Sequence, residues 1–319
     1  MLREIPFYLD LLEHAARAFR DRAPDVFAPV DAPALHVPLA RLAGRYGVPT
    51  VHLVAPQYWA WGPWRVAGYR KVVDRALTIL PWEPAWFARA GVRSRHVGHP
   101  QVDVLNELPP APGDEDRDEL ALLPGSRRGE VRHALGFQLE VARRLLDRTP
   151  GRRAFVAQAR DDHAEFIRGE IDRAGLTDRI RLEVGDPHRH LARARAALAV
   201  SGTVLTDLLH HRLPAVVIYV LGGRLRARIA PWLVTCPWFA STNLLAGREV
   251  CPEFAWRAGT QGPADEVTDL MIRALEDGAW RASNRSELDR AVARLGPPGA
   301  VRRAAHHVLD VAGARPDVS

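Results

Sequence analysis

Lysine is almost absent. Lys71 is the sole lysine among 44 basic residues, so the positive charge of this 319-residue chain is arginine charge. An arginine guanidinium can fork two hydrogen bonds onto a carboxylate or phosphate, where a lysine offers a point charge. Against 38 acidic residues the net charge is +6, which favours anionic partners without choosing among them. The arginines are interspersed with acids and no recognition motif occurs, so no nucleic-acid partner is expected. Cysteine is equally scarce. Cys236 and Cys251 match neither a zinc motif nor a secreted disulfide framework, and a reducing cytoplasm suits them best. Long apolar runs are missing too: the longest, Pro214 to Leu221, is far shorter than the roughly 20 residues of a membrane-spanning helix, so any membrane contact is expected to be peripheral. The opening residues carry early charges, and no signal peptide is expected. No internal repeat or low-complexity tract interrupts the chain.

What is present is enough for two ordinary domains, with 47% hydrophobic and 26% charged residues. Ile5 to Phe19 has the spacing of an amphipathic helix. Strand candidates follow at Asp25 to Val30, Pro49 to Val54, Ala76 to Leu80 and Ser94 to Val97, alternating with helical or loop segments as in a parallel sheet. Asn106 to Asp118, rich in proline and acids, has the composition of an exposed linker and marks a domain boundary. Beyond it the alternation restarts. Strands are expected at Leu120 to Leu123, Ala154 to Gln158, Ile180 to Val184, Ala196 to Val200 and Ala215 to Val220, and helices at Glu130 to Leu146, Ala164 to Ala174 and Val204 to His210. Ala264 to Ala312 reads as helical, with one helix able to cross back to the first domain. The expectation is an α/β protein with a first domain over residues 1–110, short of strands for a complete doubly wound unit, and a second over 119–319, each offering the carboxyl ends of its strands to a ligand.

Several segments carry candidate chemistry. In Leu122-Leu123-Pro124-Gly125-Ser126-Arg127-Arg128-Gly129-Glu130-Val131 an apolar strand ends in a turn and reopens as a helix. The helix amides and the Arg127 fork can hold a diphosphate, with Gly125 permitting close approach; a plain strand-turn-helix is the competing reading. Ser201-Gly202-Thr203 follows a second strand, and Asp207 lies one turn into the next helix, where a carboxylate can accept ribose hydroxyls; a capped helix start is the alternative. Asp31, after an apolar strand and before Ala32-Pro33, is a candidate general base or an ordinary turn acid. Gln57 to Val66 groups Tyr58, Trp59, Trp61 and Trp64 with Arg65, suited either to acyl chains and headgroups or to a packed aromatic loop. His99 reads as a turn residue. His188, His190, His210 and His211 show no metal spacing, and no metal is expected.

Taken together, Pro56 to Trp61, Leu80 to Pro84, Val97 to Pro100, Leu123 to Val131, Ser201 to Thr203 and Asn243 to Glu249 resemble, in order and spacing, the lipid-A-disaccharide synthases. The resemblance implies the GT-B architecture of two Rossmann-like domains. It also implies inverting transfer of diacylglucosamine from UDP-2,3-diacylglucosamine to 2,3-diacylglucosamine 1-phosphate (lipid X), without cofactor or metal, peripheral to the inner face of the cytoplasmic membrane. It leaves the oligomeric state open. By the same resemblance Asp31 is the candidate base. Gly125, Ser126, Arg127, Ser201, Gly202, Thr203, Asp207, Asn243 and Glu249 fall on the UDP-sugar side, and Gln57, Trp59, Trp61 and Arg65 on the acceptor and lipid side. Asp207 stands where the family has glutamate. Ala34 replaces the second acid of the family's Asp-Ala-Pro-Asp, and Gly62 the arginine after Trp-Ala-Trp. The family's opening strand and Gly-Glu-Ala-Ser-Gly-Asp loop have no counterpart, so the first domain is expected to be incomplete. The alternatives are a homologue that binds UDP-sugar or anionic lipid without turnover, and another UDP-sugar enzyme of the same fold.

Overall fold

The computed structural model describes residues 5–110, 112–222 and 234–313. Its elements begin α1 (Ile5–Arg22), α2 (Pro33–Arg45), β1 (Val51–Leu53), α3 (Val66–Tyr69), β2 (Arg75–Thr78), α4 (Glu83–Arg89), β3 (Ser94–His96) and α5 (Pro100–Leu105). They continue with β4 (Glu119–Leu123), α6 (Arg128–Arg148), β5 (Ala154–Gln158), α7 (Ala164–Arg173), β6 (Ile180–Val184), α8 (Pro187–Leu191), β7 (Ala194–Val200), α9 (Val204–His210) and β8 (Ala215–Leu221). The remainder is α10 (Ser241–Ala246), β9 (Glu253–Arg257), α11 (Ala264–Glu276), α12 (Gly278–Arg294) and α13 (Ala300–Gly313). The chain forms two compact units. One holds the described residues up to Glu107, the stretch 234–236 and those from Leu295 onward; the other runs from Leu108 to Arg294 apart from that stretch.

The second unit is a parallel six-stranded sheet in the order β6-β5-β4-β7-β8-β9. The chain winds outward from β4 to β6, returns to β7 beside β4, and winds outward the other way, the doubly wound order. Central strands of such a sheet are covered on both faces and need apolar residues at every position. In β4 and β5 every residue is buried. Leu122, Val156 and Leu198 pack with Leu135 and Leu139 of α6 and Met271 of α11. Phe155, of opposite parity, meets the His190 ring at 6.2 Å. Each fully buried leucine or phenylalanine contributes roughly 1.5–3 kcal/mol. Most of the described stretch before β4 is exposed, as its composition implies, but two of its residues are held. Asp114 bonds Arg281 Nε at 2.9 Å and pairs with Arg285 at 2.7 Å, and Arg117 is 1% exposed. One acid among several arginines is better held than hydrated, which composition alone did not reveal.

The first unit has a parallel sheet β1-β2-β3. The strand expected over Asp25 to Val30 is reduced to two bridges, Phe27 to Thr50 and Val30 to Leu53. Phe27 N–H donates to the Pro49 carbonyl and Asp31 N–H to that of Leu53, but between them Pro29 has no N–H to offer β1. One sheet face carries Ala40, Tyr58, Tyr69, Val73 and Phe87. The other carries Val51, Leu77 and Val97 and is covered by Ala304 and Val308 of α13. That helix is anchored at its start, where the Asp103 carboxylate accepts from the N–H groups of Gly299, Ala300 and Val301, and along its length, where Arg303 Nε donates to the Val97 carbonyl at 2.8 Å.

Buried on β1, His52 donates from Nε2 to the Asp31 carbonyl at 2.8 Å. Burial pulls its pKa down to about 4, the Asp31 carbonyl opposing this and the nearby His36 reinforcing it. The native state thus binds fewer protons than the unfolded chain between pH 6.5 and about 4. Stability is full above that window and falls as the pH drops through it. Glu83, raised to about 7 chiefly by burial, acts oppositely, its contribution diminishing as the pH rises from 4.5 to 7. His52→Gln keeps an N–H donor without the titration. Denaturant unfolding at pH 6.5, 5.5 and 4.5 is expected to show a shallower acid loss in this variant, and an unchanged pH slope would refute the assignment.

Candidate functional site

In the second unit the chain reverses direction between β4 and β7, and the loops leaving their carboxyl ends flank the crevice where open α/β sheets bind ligands. The first loop carries Gly125 at φ +99°. A Cβ there would lie 2.7 Å from Glu130 Oε2 and 3.1 Å from Val200 Cγ2, so only glycine lets this loop close against the end of β7. Gln158, at the end of β5, donates to the Gly125 carbonyl at 3.0 Å, and His163 Nε2 donates to that of Ser126 at 3.2 Å. Neither support was anticipated, because both are long-range contacts to main chain. Arg127 precedes α6, pairs with Glu130 at 2.7 Å, and leaves its side chain 83% exposed. The first-turn amides of this 21-residue helix lie beside it.

In the second loop Gly202 and Thr203 are exposed, while the Ser201 hydroxyl donates to the Phe239 carbonyl at 2.7 Å. Ser201 therefore ties two loops together. Asp207 is mostly buried on α9, 3.9 Å from His188 Nε2. That histidine also meets His211 at 3.2 Å, so residues with no sequence spacing in common form one cluster, and burial pulls the His211 pKa down to about 3. Among the described residues no group of ligands suits a metal ion.

One donor-side expectation is corrected. Asn243 is 0% exposed, and both ends of its amide are engaged, Oδ1 by the N–H groups of Val250 and Cys251, Nδ2 by Cys251 O and the Glu253 carboxylate. It fixes the loop rather than touching a ligand. Glu249, in the same loop, is exposed. Glu253 pairs with Val217, and Val217 with Ala199, which sets Glu253 level with the end of β7. Glu249 precedes β9 and lines a cavity of about 250 Å³ with Trp280 and Asn284. Glu253 is the carboxylate that the sequence reading missed. It accepts from Phe239 N–H at 2.9 Å and Ala240 N–H at 2.8 Å, and burial raises its pKa.

In the first unit Asp31 and Ala32 are both left-handed, at φ +50° and +44°, an uncommon pair for residues with a Cβ. The turn is held by the Asp31 carbonyl, which accepts from His36 Nδ1 at 2.7 Å as well as from His52, while Asp31 as a whole stays exposed. Gln57 is exposed. Trp59, expected to face lipid, is instead half-buried, its indole N–H donating to Glu83 at 2.9 Å and its ring meeting Trp82 edge-on. A buried carboxylate needs such donors, and the tryptophan supplies one. Trp61 is half-buried and its backbone bridges Val234. Arg65 lies over the Tyr58 ring at 4.6 Å, and Trp64, at 61%, is the exposed aromatic of the segment.

A family model described as lipid-A-disaccharide synthetase matches residues 1–295. The chain is 34% identical over 324 residues to the lipid-A-disaccharide synthase of Myxococcus xanthus (strain DK1622), covering 98% of this chain and 82% of the relative. It is 29% identical over 298 residues to that of Methylobacillus flagellatus, covering 91% and 78%. Among solved structures, the S. aureus MnaA–UDP co-structure aligns with a TM-score of 0.67 at 13% identity, covering 99% of this chain and 84% of that one. The UDP-GlcNAc 2-epimerase from Neisseria meningitidis bound to UDP-GlcNAc aligns at 0.65 and 11% identity, covering 97% and 82%. At these identities the structural likeness is one of fold.

Proposed function

Because the chain belongs to the lipid-A-disaccharide synthase family, glycosyltransferases of lipid A biosynthesis with two Rossmann-like units, we propose that its second unit holds the UDP-sugar donor and its first unit the acceptor and the base. The donor is UDP-2,3-diacylglucosamine and the acceptor 2,3-diacylglucosamine 1-phosphate. Asp31 takes the proton of the acceptor 6-hydroxyl. The resulting oxygen forms a bond to the donor's anomeric carbon from the face opposite UDP, the bond from that carbon to the diphosphate breaks, and the configuration inverts. Arg127 and the first amides of α6 stabilise the negative charge that builds on the departing diphosphate. Ser126, Gly202 and Thr203 bound the same crevice, and Asp207 accepts from the ribose.

The observation that carries this reading is the pair of loops, one ending in Arg127 and the other spanning Ser201 to Thr203, at the reversal point of the sheet. Acyl chains on both substrates demand a lipid surface. No described helix is long and apolar enough to cross a membrane, and the exposed Trp64, with Phe7 and Leu9 of α1, supports contact at the inner face of the cytoplasmic membrane. Mass spectrometry of the purified chain with both lipids in detergent is expected to find UDP and the phosphorylated disaccharide in equal amounts. Folded protein that binds UDP yet forms no disaccharide, beside an active relative, would overturn the catalytic reading in favour of a binding homologue.

A further inference from the structure

The first unit contains a cavity of about 340 Å³, within the usual size of a small-ligand site. Its ionisable lining is Arg41, Arg65, Tyr58 and Tyr69, with no carboxylate. Helix α2, which starts just after the left-handed Asp31 turn, contributes Val37, Pro38 and Arg41 to the wall. Arg65 donates to the carbonyls of Trp61 and Gly62 and stacks on Tyr58, so it is held in place while its charge is left uncompensated. Arg41 has no ion pair among the described residues. Tyr69 is 0% exposed, and its hydroxyl has no hydrogen-bond partner among those residues. Two cations and a buried unpaired donor on one cavity select a compact anion, and the apolar wall selects one attached to an apolar body.

We propose that this cavity binds the phosphate monoester of the acceptor lipid. Arg41 and Arg65 pair with its oxygens, the Tyr69 hydroxyl donates to one of them, and Val37 and Pro38 lie against the lipid beside it. A dianionic monoester balances both guanidinium charges, whereas the phosphodiester of a bulk lipid balances one. The assignment rests on reading the first unit as the acceptor side.

The test compares 2,3-diacylglucosamine 1-phosphate with the same lipid lacking phosphate, in neutral detergent micelles, on the whole chain. Both binding, by tryptophan fluorescence, and acceptor KM are read. Arg41→Gln is expected to weaken binding of the phosphorylated lipid and raise its KM about tenfold, with the unphosphorylated lipid and UDP unaffected. Tyr69→Phe is expected to raise that KM about threefold while Tm holds or rises, a combination that a purely structural tyrosine would not give. Equal wild-type affinity for the two lipids would overturn the proposal. So would an Arg41→Gln chain that loses retention on phosphatidylglycerol vesicles but keeps acceptor affinity, which would reassign the arginine to bulk headgroups. A wild-type chain that binds the phosphorylated lipid through Arg41 without turnover leaves the subsite standing and removes the catalytic reading. Turnover indifferent to both substitutions does the reverse.

Discussion

Arg127→Ala is expected to weaken UDP binding about 100-fold while leaving Tm within a degree or two. A hydrogen bond to a charged group contributes roughly 1.5–3 kcal/mol, and the loss of a forked pair on a diphosphate corresponds to about two powers of ten in Kd. The fold has little to lose. The Arg127 side chain is 83% exposed and its ion pair with Glu130 lies at the surface, where such pairs contribute at most about 1 kcal/mol. Calorimetry with UDP and with UMP separates the contributions. The loss is expected to be large for UDP and smaller for UMP, because the fork addresses the diphosphate. Arg127→Lys is expected to fall between, keeping charge without the fork. Wild-type affinity for UDP in Arg127→Ala would end the phosphate assignment and leave the loop a structural turn.

The two loops of the second unit were legible because their logic is local. An apolar run, a glycine and a polar helix start lie within ten residues in Leu122 to Val131, and the strands β5 and β6 begin and end where alternation places them. Less local features were hidden. Pro29 thinned the expected first strand through one missing donor, a consequence visible only once its neighbour on β1 is known. Strand β9 went unseen because at the sheet edge it is only partly buried and carries charged ends in place of an apolar run, and helix α10 because six residues are too few to show a helical period. The role of Asn243 was hidden for a related reason. A motif position says that a residue matters, but whether an amide faces ligand or main chain depends on loops that close around it. The histidines show the same limit, since His188 and His211 share no periodicity and meet only because α8 and α9 pack together. Trp59 and Trp64 sit in one aromatic segment, yet one bonds a buried carboxylate and the other faces solvent. Composition assigned them alike; burial divides them.

Asp31→Asn is expected to lower kcat by about 10² to 10⁴, the usual contribution of a general base, with UDP affinity and Tm unchanged. The two halves of this residue do separate work. Its main chain is structural, the N–H donating to the Leu53 carbonyl and the C=O accepting from His36 and His52. Its side chain lies outside that arrangement. Asparagine suits the position because its short polar side chain tolerates the left-handed φ of +50°. Loss of activity in this variant therefore reports the carboxylate and not the turn. Asp31→Ala provides the complementary measurement. Alanine has no polar side chain and adopts a left-handed φ less readily, so stability is expected to fall by about 1 kcal/mol, lowering Tm modestly, while kcat falls as far as in the asparagine variant. Equal kcat losses with unequal Tm values would place the effect on the carboxylate. Full activity in Asp31→Asn would move the base to another residue. A kcat that tracks Tm across the two variants would instead mean that the strained turn, and not the acid it carries, is what the reaction requires.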